Sequence, residues 1–161
     1  MLLTEYDKPV TACEFWRFGF NHAEKHIILR AAKLLVDDER CVRKDILKLL
    51  KRDVTEVASK RKLLEVCSYF AKTTMLHLYE RIPDINDWII KPRDRAVLHL
   101  RYVDALNFLI DAIQTRNLPH YFIPQSNLFD KAIMSDKGCQ ELDVLMDYLI
   151  KRRDELNRKP D

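Results

Sequence analysis

The sequence LPHYFIPQSNLF, at residues Leu118–Phe129, follows the longest helical pattern in the chain. Asn117 is predicted to end that helix, because Pro119 lacks a backbone N–H and cannot continue it. Pro119 and Pro124 both fix the backbone φ angle. Residues 118–127 are therefore predicted to form a rigid extended loop.

A second stretch, EFWRFGFNHAEK at Glu14–Lys25, contains a change from strand to helix. The β-branched and aromatic residues of Val10–Phe20 predict a strand. Asn21 is a suitable helix N-cap, and Glu24 three residues later completes the pattern of a capping box. A helix is therefore predicted from Asn21 to Leu35.

Apolar residues at helical spacing predict four further helices, with core positions that include Ile46, Leu63, Phe70, Leu100 and Leu145. The chain is thus predicted to be all-α, a bundle of about five helices with one orphan amino-terminal strand. The four helices run from about Glu39 into the fifties, from about Lys62 to Arg81, from about Pro92 to Arg116 and from about Gly138 to Asn157.

The predicted strand raises a question of domain organisation, since a lone strand cannot satisfy its own backbone donors and acceptors. It must pair with another chain, fold back, or belong to a missing sheet. We expect residues 1–20 to be a tail and strand left from a missing core, 21–157 to form one helical domain, and 158–161 to be a tail.

Composition is typical of one globular domain, with 161 residues, 47% of them apolar and 33% charged. The two glycines argue against an all-β chain and against glycine-rich phosphate loops. Apolar runs are short and broken by charge, so we expect no membrane span. No secretory signal is visible and the four cysteines form no CxxC pair, so we expect reduced thiols and a cytoplasmic, or also nuclear, location.

Three more motifs accompany the two quoted stretches: CVRKDILKLLK at 41–51, SYFAKT at 68–73, and the acidic-tryptophan pair Asp87-Trp88. In this order, the motifs resemble the male-abnormal-21 family of cyclic GMP-AMP synthase-like nucleotidyltransferases. The resemblance implies a nucleotidyltransferase core followed by a helical lobe, with the active site between them. It also implies that active members join ATP and GTP, with magnesium held by acidic residues of the core, and that several respond to double-stranded DNA or RNA.

The same resemblance implies roles for individual residues of this chain. Arg17 matches an arginine that approaches the nucleotide base, and Tyr69 matches a tyrosine that stacks on a base. Ser68, Lys72 and Lys51 match residues around the triphosphate. The alternative for each is structural: a solvent-facing strand arginine, a partly buried helix aromatic, and solvated helix charges.

Departures from the family pattern limit what the resemblance implies. Gly19 replaces a polar position, which weakens the expectation of base selection there. Only His26 and Cys41 lie where the synthase carries a zinc-binding thumb, and two ligands cannot complete tetrahedral coordination, so we expect no zinc. Glu5 and Asp7 do not match the catalytic carboxylates in spacing or context. We therefore expect no cofactor and no catalytic residue in this chain alone, with magnesium or manganese bound by the missing core of a full-length parent.

Basic residues in the predicted second helix and after it form the candidate nucleic-acid surface, although a net charge of +3 does not itself indicate such binding. The alternative is that these residues solvate the outer face of a helix. The candidates are Lys44, Lys48, Arg52, Lys60, Arg61 and Lys62.

Three functions remain open at this point. The leading one is the nucleotide-contacting and ligand-sensing lobe of a nucleotidyltransferase of innate immunity, with ATP, GTP and double-stranded nucleic acid as ligands of the full-length protein. The second is a catalytically inert male-abnormal-21 domain that acts as an interaction or developmental scaffold. The third is a helical adaptor that begins at Met1.

Overall fold

The computed structural model describes residues 20–29, 40–91 and 95–158. Helices dominate this part of the chain, and the all-α class predicted from the sequence is confirmed. The predicted strand, except for Phe20, lies outside the described residues. The elements are α1 (Asn21–Leu29), β1 (Arg40–Cys41), α2 (Arg43–Arg61), α3 (Tyr69–Arg81), a 3-10 turn (Ile85–Trp88), β2 (Ile89–Ile90), α4 (Ala96–Gln114), α5 (Asp130–Ile133) and α6 (Asp136–Arg158).

One apolar core is shared by the four long helices α2, α3, α4 and α6. Each helix contributes apolar side chains three or four residues apart, which places them on one face. Each large side chain that is fully buried contributes about 1.5–3 kcal/mol to stability. Fully buried members are Ile46, Leu50, Phe70, Leu76, Leu106, Leu109, Ile113, Leu142, Leu145 and Leu149.

The helix boundaries differ from the prediction where apolar spacing continues across a break. Lys62 has a φ angle of 54° and ends α2 in the left-handed conformation, so its backbone N–H bonds back to Ala58 and Ser59. The third helix therefore begins at Tyr69 rather than Lys62. Leu63 is accordingly in a connection, half-buried against the core.

The fourth helix was predicted from Pro92, but α4 begins at Ala96, after three residues that lie outside the described part of the chain. Leu100 was predicted to face the core and is 51% exposed. Leu106 and Leu109, further along the same helix, are fully buried. The buried apolar face of α4 is therefore narrower than its residue types suggest.

Residues 118–127 are not helical, as predicted, but they form a closed loop rather than an extended one. Asn127 closes it: its side-chain oxygen accepts from the Leu118 N–H at 2.9 Å, and its amide donates to the Arg116 carbonyl at 2.8 Å. A bridge between Pro119 and Asn127 completes the closure. We call these residues the 118–127 loop.

A short antiparallel sheet, which the sequence did not predict, joins β1 to β2. The N–H of Val42 continues this pairing by donating to the Trp88 carbonyl at 2.8 Å. Trp88 is fully buried, and its indole N–H donates to the Ile82 carbonyl at 2.8 Å. The paired residues are Arg40 with Ile90 and Cys41 with Ile89.

We predict that Gly138→Ala lowers the free energy of unfolding by about 1–3 kcal/mol, the usual cost of overpacking. A Cβ atom at this position would lie 2.1 Å from the carbonyl oxygen of Ala132, so α5 and α6 would have to separate. Helix propensity alone predicts the opposite sign. Urea unfolding measures the difference, with the exposed Gln140→Ala in the same helix as the control. Equal or greater stability of Gly138→Ala would contradict the close approach of α5 to α6.

Candidate functional site

The side chains of Glu24, Tyr69, Lys72 and His120 form one hydrogen-bonded group, which we call the polar cluster. The Tyr69 hydroxyl lies 3.2 Å from Glu24 Oε1 and 3.2 Å from His120 Nε2. The Lys72 ammonium donates to Glu24 Oε2 at 2.6 Å. Three separate parts of the chain, α1, α3 and the 118–127 loop, are thereby joined at one point.

Local sequence explains how these side chains come together. Tyr69 and Lys72 are three residues apart at the start of α3 and therefore lie on neighbouring positions of the helix surface. Glu24 lies in α1, where its N–H bonds to the Phe20 carbonyl at 2.9 Å. His120 follows Pro119 in the 118–127 loop. Two of the four side chains thus come from α3, and Glu24 and His120 come from α1 and the 118–127 loop.

Glu24 is the charged centre of the cluster and is almost fully buried. Its side chain is 3% exposed and that of Lys72 is 23% exposed. Because a buried carboxylate without a cation is strongly unfavourable, Lys72 is the partner that makes this burial possible. The capping-box interpretation of Glu24 gave no reason to expect this contact with α3.

Burial keeps Tyr69 in its neutral, hydrogen-donating form. Desolvation raises the pKa of the Tyr69 hydroxyl well above its ordinary value, and the negative charge of Glu24 raises it further. The Tyr69 residue is 6% exposed. The Lys72 ammonium lies 5.6 Å from the centre of the Tyr69 ring, within the range of a cation–π contact.

His120 is fully buried and packs against aromatic rings. Its ring lies 5.7 Å from that of Phe20 and 5.6 Å from that of Tyr69, centre to centre. Desolvation lowers the pKa of His120, an effect that the nearby Glu24 carboxylate opposes. Phe20 also stacks on Phe122 at 4.6 Å, so an aromatic contact joins the residue before α1 to the same loop.

The residues predicted to contact a nucleotide are only partly brought together. Ser68 immediately precedes α3 and is half-buried next to Tyr69, within one turn of Lys72. Lys51 is exposed on α2, and no hydrogen bond or ion pair joins its side chain to the polar cluster in residues 20–29, 40–91 and 95–158. Arg17 lies outside the described residues. Their proposed roles stay predictions.

Sequence reasoning missed Glu24 and His120 as members of the site. The structure places His120 in the interior, where it is fully buried. Its position after Pro119 and beside Tyr121 and Phe122 was the available signal, because a histidine among apolar and aromatic neighbours can pack with them.

The basic residues proposed for nucleic acid lie on the surface of α2 and at its end. Lys44 and Lys48 are four residues apart on one helical face. Lys60 instead pairs with Glu56 at 2.5 Å, which reduces its availability for a phosphate. Every one of the candidates is exposed: Lys44, Lys48, Arg52, Lys60, Arg61 and Lys62.

The described residues offer neither a metal site nor a membrane-spanning helix. They contain no group of three or more histidine, cysteine, aspartate or glutamate side chains arranged to hold a metal ion. No helix in the same residues is long and apolar enough to span a bilayer.

Comparison with known proteins identifies relatives of this chain. Residues 41–146 match the family model described as the Mab-21 protein HhH/H2TH-like domain. The chain is 30% identical over 140 residues to cyclic GMP-AMP synthase of Mus musculus and 29% identical over 143 residues to that of Sus scrofa, covering 84% of this chain in each case. It is 30% identical over 115 residues, or 70% of this chain, to a cyclic GMP-AMP synthase-like receptor of Magallana gigas. These matches span 27%, 28% and 18% of the respective relatives, so the chain corresponds to less than a third of their length.

We predict that Glu24→Gln lowers the free energy of unfolding by about 1.5–3 kcal/mol, because it leaves the Lys72 ammonium without its carboxylate. Chemical unfolding measures the loss. Glu56→Gln is the matched control, since it removes the carboxylate of an exposed Glu–Lys pair and should change the midpoint very little. If both variants lose the same stability, the polar cluster does not hold α1 as described.

Proposed function

The chain belongs to the Mab-21 family, and on that premise we propose that it is the helical, nucleotide-contacting and ligand-sensing lobe of a cyclic GMP-AMP synthase-like nucleotidyltransferase. The observation that carries the proposal is the position of Ser68, Tyr69 and Lys72 at the start of α3, where an aromatic ring, a hydroxyl and a cation adjoin. These are the groups that a base and its phosphates require.

A full-length parent would combine this lobe with a catalytic core. We propose that a nucleotidyltransferase core holds magnesium or manganese through its own acidic residues and joins ATP to GTP in the cleft beside the lobe. Innate immune sensing of nucleic acid, in the cytoplasm or also in the nucleus, is the corresponding biological role.

Nucleotide contact would require the polar cluster to rearrange, because the Tyr69 residue is only 6% exposed. Lys72 neutralises Glu24 in the structure, and its ammonium also lies over the Tyr69 ring. A triphosphate would attract Lys72 away from both, which would uncover a face of Tyr69 for a base. Lys51 and Ser68 would contribute to the phosphate environment, and Arg17 to the base.

The inert scaffold is a second candidate that one observation favours. Tyr69 and Lys72 already have internal partners in Glu24 and His120, so the cluster is satisfied without a ligand. If these bonds serve stability alone, the domain would act through its surface as an interaction scaffold. Nucleotide titration separates the two candidates.

We predict that ATP or GTP shifts the backbone amide signals of residues 68–72 in ¹H–¹⁵N spectra of the 161-residue chain. Lys72→Gln should weaken this response about tenfold, because the loss of a charge-assisted contact of about 1.5 kcal/mol corresponds to that factor. Lys137→Gln, an exposed lysine at the start of α6, is the control. No shift at millimolar nucleotide, or shifts unaffected by Lys72→Gln, would favour the scaffold.

A nucleic-acid duplex is the second proposed ligand of the lobe. Lys44 and Lys48 present two cations on one face of α2, and Arg61 and Lys62 add two more at its carboxyl end. Cations in this arrangement address phosphates rather than bases, so binding would not depend on sequence. With a net charge of only +3, affinity should be in the range of non-specific contacts, about 10⁻⁴–10⁻⁶ M.

We predict that binding of a short RNA or DNA duplex weakens steeply as salt is raised, and that Lys44→Glu with Lys48→Glu abolishes it. Charge reversal replaces phosphate attraction by repulsion. Lys91→Glu with Lys137→Glu changes the net charge equally at exposed positions outside α2 and is the matched control. Equal loss in both double variants would indicate a general charge effect, and no binding at low salt would leave α2 as a solvated helix face.

A further inference from the structure

We propose that His120 is a positioning residue: as a neutral imidazole protonated on Nε2, it fixes the Tyr69 hydroxyl toward Glu24 and so sets the places of Tyr69 and Lys72. The proposal rests on the proposed function only in taking Tyr69 and Lys72 as the nucleotide contacts. The atom of His120 that carries the proton can be identified without any nucleotide.

The backbone of the 118–127 loop determines the tautomer. His120 Nδ1 lies 3.2 Å from the backbone nitrogen of Phe122 and 3.2 Å from that of Ile123, and both N–H groups donate to it. Nδ1 must therefore be unprotonated, since an N–H cannot accept a hydrogen bond. The proton of the neutral ring is consequently on Nε2.

The tautomer determines which group donates and which accepts in the hydrogen bonds of Tyr69. Nε2–H donates to the Tyr69 oxygen at 3.2 Å, which leaves the Tyr69 hydroxyl proton to donate to Glu24 Oε1 at 3.2 Å. Lys72 donates to the second oxygen of Glu24 at 2.6 Å. The opposite tautomer would place a lone pair at Nε2 and compete with Glu24 for the single Tyr69 proton. Only Nε2–H lets both loop amides and the Glu24 carboxylate be satisfied together.

The groups facing His120 agree with a neutral ring. The negative charge of Glu24 in α1 favours protonation of His120. The ammonium of Lys72 in α3 neutralises that negative charge. His77 from α3 donates through Nε2 to the Pro119 carbonyl at 2.8 Å, and its proximity lowers the pKa of His120. Complete burial of His120 acts in the same sense and lowers its pKa.

Acidification should therefore release the 118–127 loop. A proton on His120 Nδ1 would face the N–H groups of Phe122 and Ile123, which are also donors. Their hydrogen bonds to Nδ1 would therefore break. The folded protein takes up this proton at lower pH than the unfolded chain, whose histidine pKa is about 6.5. The unfolded state thus binds more protons in that interval, so the stabilising contribution of His120 is present above about pH 6.5 and is lost as the pH falls toward the folded pKa.

Histidine ¹⁵N spectra of the complete chain test the proposal directly. We expect His120 to show a protonated Nε2 and an unprotonated Nδ1 at neutral pH, and to titrate below the unfolded value. In Tyr69→Phe, the Nε2–H should exchange with water faster, because its acceptor is gone. A protonated Nδ1, an imidazolium at neutral pH, or an Nε2 signal indifferent to Tyr69→Phe would overturn the proposal.

A variant separates positioning from general stability. His120→Asn retains a side-chain oxygen that can accept from the N–H groups two and three residues later, but it cannot reach Tyr69 as an Nε2–H does. The amide signals of Glu24 and Lys72 should shift, whereas His99→Asn on α4 should leave them unchanged. If wild type binds ATP, His120→Asn should bind it about fivefold more weakly, the equivalent of one neutral hydrogen bond. If wild type binds none, the proposed function fails and the ¹⁵N spectra still decide this proposal.

Discussion

Burial of α3 on almost every side is the constraint on which the rest of the structure depends. Nine of its thirteen residues are buried, including Thr73 and Thr74. A helix in this position cannot direct most of its polar side chains to water, and Tyr69, Lys72 and Tyr79 bond instead to partners within the fold. The other elements are arranged as apolar neighbours of this helix or as partners for its few polar groups.

The two ends of α3 meet this requirement in different ways. At its amino end, Tyr69 and Lys72 bond to the charged or polar side chains Glu24 and His120. Near its carboxyl end, the Tyr79 hydroxyl donates to the Arg43 carbonyl at 2.9 Å, and the Arg43 guanidinium lies 4.8 Å from the Tyr79 ring. The first arrangement contains an ion pair that a phosphate could replace, whereas the second uses a backbone carbonyl. The amino end is therefore the one that we propose as a ligand site.

Sequence patterns predicted the helical class because apolar residues recur at helical spacing over long segments, as in α6, predicted from Gly138 to Asn157 and observed at Asp136–Arg158. Sequence patterns failed where contacts between distant residues determine the local conformation. Nothing in local propensity indicates that Lys62 adopts a left-handed conformation, and two-residue strands are too short for a periodic signal. Glu24 had a sufficient local explanation as a capping residue, so its long-range contact with Lys72 could not be inferred from spacing.

The polar cluster also bears on the choice between an enzyme lobe and an inert scaffold. A cluster that served stability alone would be expected to use apolar residues, since replacing a buried ion pair by packed hydrophobic side chains is often neutral or stabilising. Here Lys72 remains 23% exposed, so it retains access to solvent while Glu24 has almost none. A cation with one side toward water and the other toward a buried carboxylate can exchange partners without moving its helix. Glu24 would then lose its counter-charge when a phosphate binds, so the position of α1 and the occupancy of the site would be energetically linked.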